Sequence, residues 1–82
     1  MSDLPGDWQR SSSTAIEGYR HLPEAGVLQI VYRQGRQAYD FPCTRAMYEA
    51  FVAAGSKGRY VERVLRPYAR ARGWSRPPRR LG

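Results

Sequence analysis

The chain has 82 residues and a formal net charge of +7, which suits one small domain without room for a deep substrate cavity. Its single cysteine, Cys43, excludes an internal disulfide. One cysteine and one histidine are also too few for a four-ligand zinc site. The sequence has no signal peptide and no run of about 20 apolar residues, so we expect a cytoplasmic protein without membrane contact.

The N-terminal half predicts a short antiparallel sheet. Residues 14–20 form a first strand, which ends before a turn that contains a proline and a glycine. Residues 27–32 are β-branched and aromatic, which is typical of a second strand. Gly35 accepts the backbone conformation of a tight hairpin turn, and residues 37–41 return as the third strand.

The chain then changes to helical periodicity. A first helix is predicted by its apolar spacing, with Thr44 as N-cap and Gly55 as its end. Ser56 caps a second helix, which carries an apolar stripe on one side and arginines on the opposite side. Pro67 removes a backbone donor, so we expect this helix to kink or stop near Arg66. Strands followed by helices predict an α+β fold, with a three-stranded antiparallel sheet packed by two C-terminal helices.

The positive charge is concentrated after residue 56. Residues 1–56 carry five basic and six acidic side chains, whereas residues 57–82 carry nine basic side chains and one acidic. Because guanidinium binds phosphate bidentately, this asymmetry favours a polyanionic partner. Four arginines of the second helix fall within an arc of about 60°: Arg59, Arg63, Arg66 and Arg70.

Several short motifs recur in the order of a known family. They are Gly18-Tyr19 at the end of the first strand, Tyr39-Asp40-Phe41 in the centre, Ser56-Lys57-Gly58-Arg59-Tyr60, and Leu65-Arg66-Pro67-Tyr68. Together they resemble the KTSC domain, which occurs at the C-terminus of some lysyl-tRNA synthetases and as a stand-alone small protein in bacteria and phages. In this sequence Phe41 replaces the usual second tyrosine of the central motif, and the segment that follows is one residue shorter.

The resemblance divides the chain into three parts. It covers residues 12–68 and implies a single KTSC-like domain over residues 12–70. Residues 1–11 are then a loose N-terminal leader, which Trp8 pins to the body. Residues 71–82 are a basic, flexible, partly polyproline-like tail outside the domain. RNA binding is the function that the association with a tRNA synthetase implies.

We therefore expect a nucleic-acid-binding module that prefers RNA to DNA and reads shape and phosphate charge. Cationic side chains would follow the phosphate backbone, and the tail tryptophan would stack on an unpaired base. The predicted site consists of Lys57, Arg59, Arg63, Arg66, Arg70, Arg72, Trp74, Arg76, Arg79 and Arg80.

Two further features leave alternatives open. Tyr39 and Phe41 form either a base-stacking platform on an exposed sheet face or, as we favour for so small a sheet, part of the core under the helices. Ser56-Lys57-Gly58 either holds a phosphate at a helix start or is a helix–helix turn, and we favour the turn.

No constellation of residues indicates an enzyme. His21 stands beside a Pro-Gly turn, where we expect it in solvent, and no base accompanies Cys43. We expect no catalytic residue, no metal and no cofactor. The alternative function is a protein-interaction adaptor of the phage or plasmid type, which docks on an acidic surface of a host protein as a monomer or weak homodimer.

Overall fold

The structure is a computed structural model that describes residues 7–35 and 37–80; residues 1–6, most of the predicted leader, lie outside this description. The elements in chain order are β1 (Gln9–Arg10), β2 (Ile16–Leu22), β3 (Val27–Tyr32), β4 (Gln37–Pro42), α1 (Arg45–Ala53), α2 (Lys57–Tyr60), a π-helical turn (Val61–Leu65), α3 (Arg66–Ala71) and β5 (Arg79–Arg80).

The five strands form one antiparallel sheet in the order β1-β2-β3-β4-β5. The three predicted strands are its centre, and Gly35, with a φ of 88°, makes the turn between β3 and β4. The predicted number of strands, three, was too low, because a two-residue strand is added at each edge. Such short pairings are hard to recognise in sequence, since they satisfy backbone groups of an exposed edge without any apolar alternation.

The main core lies between the sheet and the helices. Leu28 and Ile30 on β3, Phe51 on α1, and Val61 and Leu65 on the π-helical turn are fully buried there. Both sheet residues belong to the face that period-2 alternation predicts. Burial of these side chains stabilises the fold by about 1.5–3 kcal/mol each.

The opposite face of the sheet carries a smaller cluster. Trp8 is buried there against Val31 and Ala38, so the prediction that it pins the leader to the body is confirmed. The same face carries a row of polar contacts across the strands, which leads to the site described below.

The first helix follows its predicted boundaries. The Thr44 hydroxyl accepts a hydrogen bond from the backbone N–H of Met47 at 3.1 Å, as expected of an N-cap. The helix ends at Ala53, two residues before Gly55. Ser56 then caps the next helix by accepting from the N–H of Arg59 at 3.3 Å, which confirms the helix–helix turn.

The second helix does not stop at Pro67. It runs without a break in helical dihedral angles from α2 through the π-helical turn into α3, which ends at Ala71. In this turn the N–H of Arg66 bonds to the carbonyl of Val61, five residues back. The wider turn stands where the proline has no N–H to offer, so the helix accommodates the residue that was expected to end it. None of the helices in the described ranges is long and apolar enough to cross a membrane.

The chain after the second helix returns to the sheet. Gly73 has a φ of 66°, and Trp74 donates its backbone N–H to the carbonyl of Ala69 at 2.9 Å. Residues 74–80, here named the strap, reach the edge of β4, where Arg79 pairs with Ala38 and Arg80 with Gln37. Residues 74–80 of the predicted tail thus lie against the sheet edge, and Trp74 packs on the main core.

Candidate functional site

Three elements enclose a cleft at the edge of the sheet. Its volume is about 410 Å³, and its walls come from β4, α3 and the strap. We name it the arginine–aromatic cleft after six of its lining residues: Tyr39, Phe41, Arg66, Arg70, Trp74 and Arg76.

The aromatic wall of the cleft is built by strand alternation. Tyr39 and Phe41 stand two residues apart on β4, so both side chains leave the sheet on the side of the helices. Their rings are nearly parallel, with centroids 6.5 Å apart. Phe41 is buried and Tyr39 is half-buried, so the core interpretation is confirmed for Phe41, whereas Tyr39 also lines the cleft.

Arg66 is held in the cleft by aromatic and ionic contacts. Its guanidinium lies 5.6 Å from the ring centre of Phe41 and 6.0 Å from that of Tyr39. Its Nε donates to Glu62 Oε1 at 2.9 Å, one helical turn earlier. The side chain remains 37% exposed, so it is held in place by these contacts and still accessible.

The strap closes the other side of the cleft. The Trp74 indole packs against the core, and its Nε1 donates to the backbone carbonyl of Asp40 at 2.8 Å. The Arg76 guanidinium lies 4.2 Å from the centre of that indole. Trp74 therefore anchors the strap.

Asp40 was not among the predicted site residues, yet it forms ion pairs with two of the predicted arginines. Its carboxylate, only 10% exposed, pairs with Arg79 at 2.6 Å and with Arg76 at 3.4 Å. It also accepts from the buried amide of Gln29 at 3.2 Å, and Gln29 in turn accepts from Arg20 Nε at 2.9 Å. Strand alternation was the available signal, since it places Asp40 and Gln29 side by side on the face away from the helices.

The remaining predicted residues fall outside the cleft. Lys57 donates its Nζ to the carbonyl of Val52 at 3.1 Å and so closes the end of α1. Arg59 and Arg63 are exposed along the helix, and neither has an ion pair within the described part of the chain. Arg72 lies 5.3 Å over the ring of Tyr68. It lines a different cavity.

The ten predicted residues thus divide by location and by partner. Arg66, Arg70, Trp74 and Arg76 meet in the cleft, whereas Arg59 and Arg63 extend the positive surface along the helix. Arg79 is neutralised by Asp40, and for Arg80 the structure describes only the backbone pairing with Gln37.

Burial governs the titration of the groups nearest the cleft and the core. The pKa of Tyr32 is raised by burial, although the Arg66 charge beside it acts in the opposite direction. Burial raises the pKa of the Cys43 thiol to about 11, so the thiol is protonated at neutral pH. No group of three or more metal-ligating side chains occurs among residues 7–35 and 37–80.

Comparisons with known proteins agree with the motifs. The family model of the KTSC domain matches residues 12–68, the same stretch that carries the resemblance. The crystal structure of a KTSC domain protein from Yersinia pestis is similar in fold, with a TM-score of 0.69 and 24% identity over 92% of this chain and 96% of that chain. A search of curated proteins finds no match. Because the family model matches more than half of the residues, this chain belongs to the KTSC family.

Proposed function

We propose that this protein binds nucleic acid, RNA in preference to DNA, through the arginine–aromatic cleft and the adjoining helix surface. The observation that carries the proposal is the meeting of two guanidinium groups, those of Arg66 and Arg70, with the rings of Tyr39 and Trp74 around one cleft. Guanidinium groups recognise phosphate, and aromatic rings accept unpaired bases.

The charge of the helix surface supports this proposal. Arg59, Arg63 and Arg70 are exposed, and Glu62 is the one acidic residue after position 56. It is already engaged by Arg66. A row of cations without nearby carboxylates raises the local concentration of a polyanion and guides it to the surface.

The order already present in the cleft favours a single strand over a duplex. Arg66 is held against two rings and a carboxylate, so less side-chain entropy is lost when it contacts a phosphate. The cleft has walls on the strand, the helix and the strap. A single unstacked base fits such a cleft better than a base-paired duplex does.

Binding, and not catalysis, is the role we propose for this chain, in the cytoplasm of a bacterium or of a phage-infected cell. The protonated, buried thiol of Cys43 supports a structural role for the one cysteine. An association with lysyl-tRNA synthetase would make structured or single-stranded RNA the first ligand to test for binding.

A salt titration of RNA binding tests the proposal. Fluorescence anisotropy with a labelled single-stranded RNA should give an affinity that falls steeply with salt. If about five phosphates are neutralised, log K against log salt should have a slope near −3.5. Absence of binding to single-stranded RNA, tRNA and duplex DNA at low salt would sink the proposal.

A pair of single-charge variants locates the surface. Arg70→Gln removes a cleft guanidinium and should weaken RNA binding about tenfold. Arg10→Gln removes an exposed arginine from β1, on the other edge of the sheet, and should change the affinity less than about twofold. Equal effects of the two variants would mean that net charge alone attracts the RNA. They would also fit the alternative that the true partner is an acidic surface on another protein.

A further inference from the structure

A second cavity shares Trp74 as a wall with the arginine–aromatic cleft. Its volume is about 420 Å³, within the range of small-molecule sites. It lies where the end of β2, the start of α1 and the end of α3 meet. The residues that define its character are His21, Pro42, Arg45, Tyr68, Arg72 and Trp74.

The charge of this cavity is positive. Arg45 and Arg72 both line it, and no carboxylate belongs to its described lining. Arg45 has a distant partner in Glu49, at 3.5 Å, but both side chains are largely exposed, and such pairs offset little charge. Arg72 is held over the ring of Tyr68, so a cation and an aromatic surface stand together in one wall.

His21 adds a polar group without a partner. It is not in solvent as its sequence context predicts, because its ring stacks on Tyr48 with centroids 4.2 Å apart and an angle of 16°. Its Nε2 is buried, and no described residue makes a hydrogen bond to it. Burial, and then the charge of Arg45, lower its pKa, so the ring is neutral at pH 7. Because Nε2 is not accessible to solvent, the ring forms a neutral part of the cavity wall and offers no hydrogen bond to a ligand.

We propose that this cavity binds a small aromatic anion, a phosphate or carboxylate carried on a flat ring. The guanidinium groups of Arg45 and Arg72 bind the anion, and the His21 ring forms part of the wall beside it. The ring of the ligand packs against Tyr68 and Trp74. This second site does not depend on nucleic-acid binding in the neighbouring cleft, although the two share one wall.

Phenyl phosphate is a suitable probe for the full chain. Calorimetry should show saturable binding, and NMR shift changes should centre on residues 21, 45 and 72. Phenol lacks the anion and inorganic phosphate lacks the ring, so each should bind at least about tenfold more weakly. Failure of phenyl phosphate to bind saturably would overturn the proposal, and so would equal binding of inorganic phosphate.

Two arginines near the end of the helix give matched variants. Arg72 lines this cavity, whereas Arg70 lines the arginine–aromatic cleft. Arg72→Gln should weaken phenyl phosphate binding about tenfold, and Arg70→Gln should change it less than about twofold. For RNA we expect the reverse order. Loss of phenyl phosphate binding in Arg70→Gln equal to that in Arg72→Gln would contradict a separate site.

Single-stranded RNA added to the complex should leave phenyl phosphate bound, and its displacement would show that one surface serves both ligands. That outcome would overturn the proposal of a second site while leaving RNA binding intact.

Discussion

The arginines of the second helix and those of the strap have the same charge but different surroundings. Arg59 and Arg63 are exposed and have no ion pair among the described residues. Arg76 and Arg79, in contrast, share the largely buried carboxylate of Asp40, and Arg76 also lies on an indole ring. The helix therefore offers its charge to a partner, whereas the strap uses much of its own to hold itself in place.

This difference shows why charge density in a sequence is a poor guide to a binding surface. The sequence does not show which of the nine cations after residue 56 are paired with a carboxylate. One carboxylate on a strand some 36 to 39 residues earlier separates them into two groups. Three sets of variants test this contrast, beginning with the largest expected effect, and a pH experiment on His21 follows them.

Loss of the strap anchor should have the largest effect. Trp74→Ala removes a half-buried indole and its hydrogen bond to the Asp40 carbonyl, and should lower the free energy of unfolding by about 3 kcal/mol. Urea denaturation measures this loss. Trp74→Phe keeps most of the packing without the donor, so we expect about 1 kcal/mol. An alanine variant as stable as the wild type would mean that the strap is not anchored by this residue.

Paired charge removal compares the two groups of arginines directly. The double change Arg59→Gln with Arg63→Gln should weaken single-stranded RNA binding more than tenfold, or about 1.4 kcal/mol. The double change Arg76→Gln with Arg79→Gln removes the same charge but should cost only about threefold, because Asp40 already offsets one of the two positive charges. Equal losses in the two doubles would contradict the division between helix and strap.

Release of the strap arginines should have a smaller effect of opposite sign on binding. Asp40→Asn keeps the shape and the contact with Gln29 but removes the charge that pairs with Arg76 and Arg79. We expect RNA affinity to rise about threefold and stability to fall by about 1 kcal/mol. Glu62→Gln is the matched control, since it breaks one exposed pair with Arg66 and should cost less than about 0.5 kcal/mol.

The smallest effect is the pH dependence of stability due to His21. Its pKa in the folded protein is lowered from 6.5 by burial and by Arg45. The folded state thus binds this proton less readily than the unfolded chain does. The stability it contributes is complete above pH 6.5 and is lost as the pH falls through the lowered pKa. Thermal melts of wild type and His21→Phe should diverge below pH 6.5, and parallel curves would show that the imidazole does not titrate as described.

The fold was predictable where local chemistry alone determines it. Thr44 and Ser56 start helices at their expected positions, and Gly35 turns the hairpin, because capping and turn residues act within a few residues of themselves. The family resemblance over residues 12–68 was also recognisable from short ordered motifs. Each of these signals is contained in a continuous stretch of sequence.

The parts that depended on distant contacts were predicted less well. Continuation of the helix past Pro67 requires the π-helical turn, which has no clear sequence signature. The fixed strap depends on pairing between Trp74 and the backbone at Asp40, 34 residues apart. The second cavity was missed because it joins His21, Arg45 and Arg72 from three separate elements. In each case the determining contact is tertiary.

The short strand β5 has a consequence for how copies of this protein behave at high concentration. It pairs with the backbone of β4 at Gln37 and Ala38. Without β5, this part of β4 would be the outer edge of the sheet. An uncovered strand edge is a template for strands of other molecules. Cleavage by a trypsin-like protease after the exposed Arg72 would remove the cover while the fully buried side chains of the main core stay in place. We expect such clipped protein to self-associate, so the strap protects solubility as well as shaping the cleft.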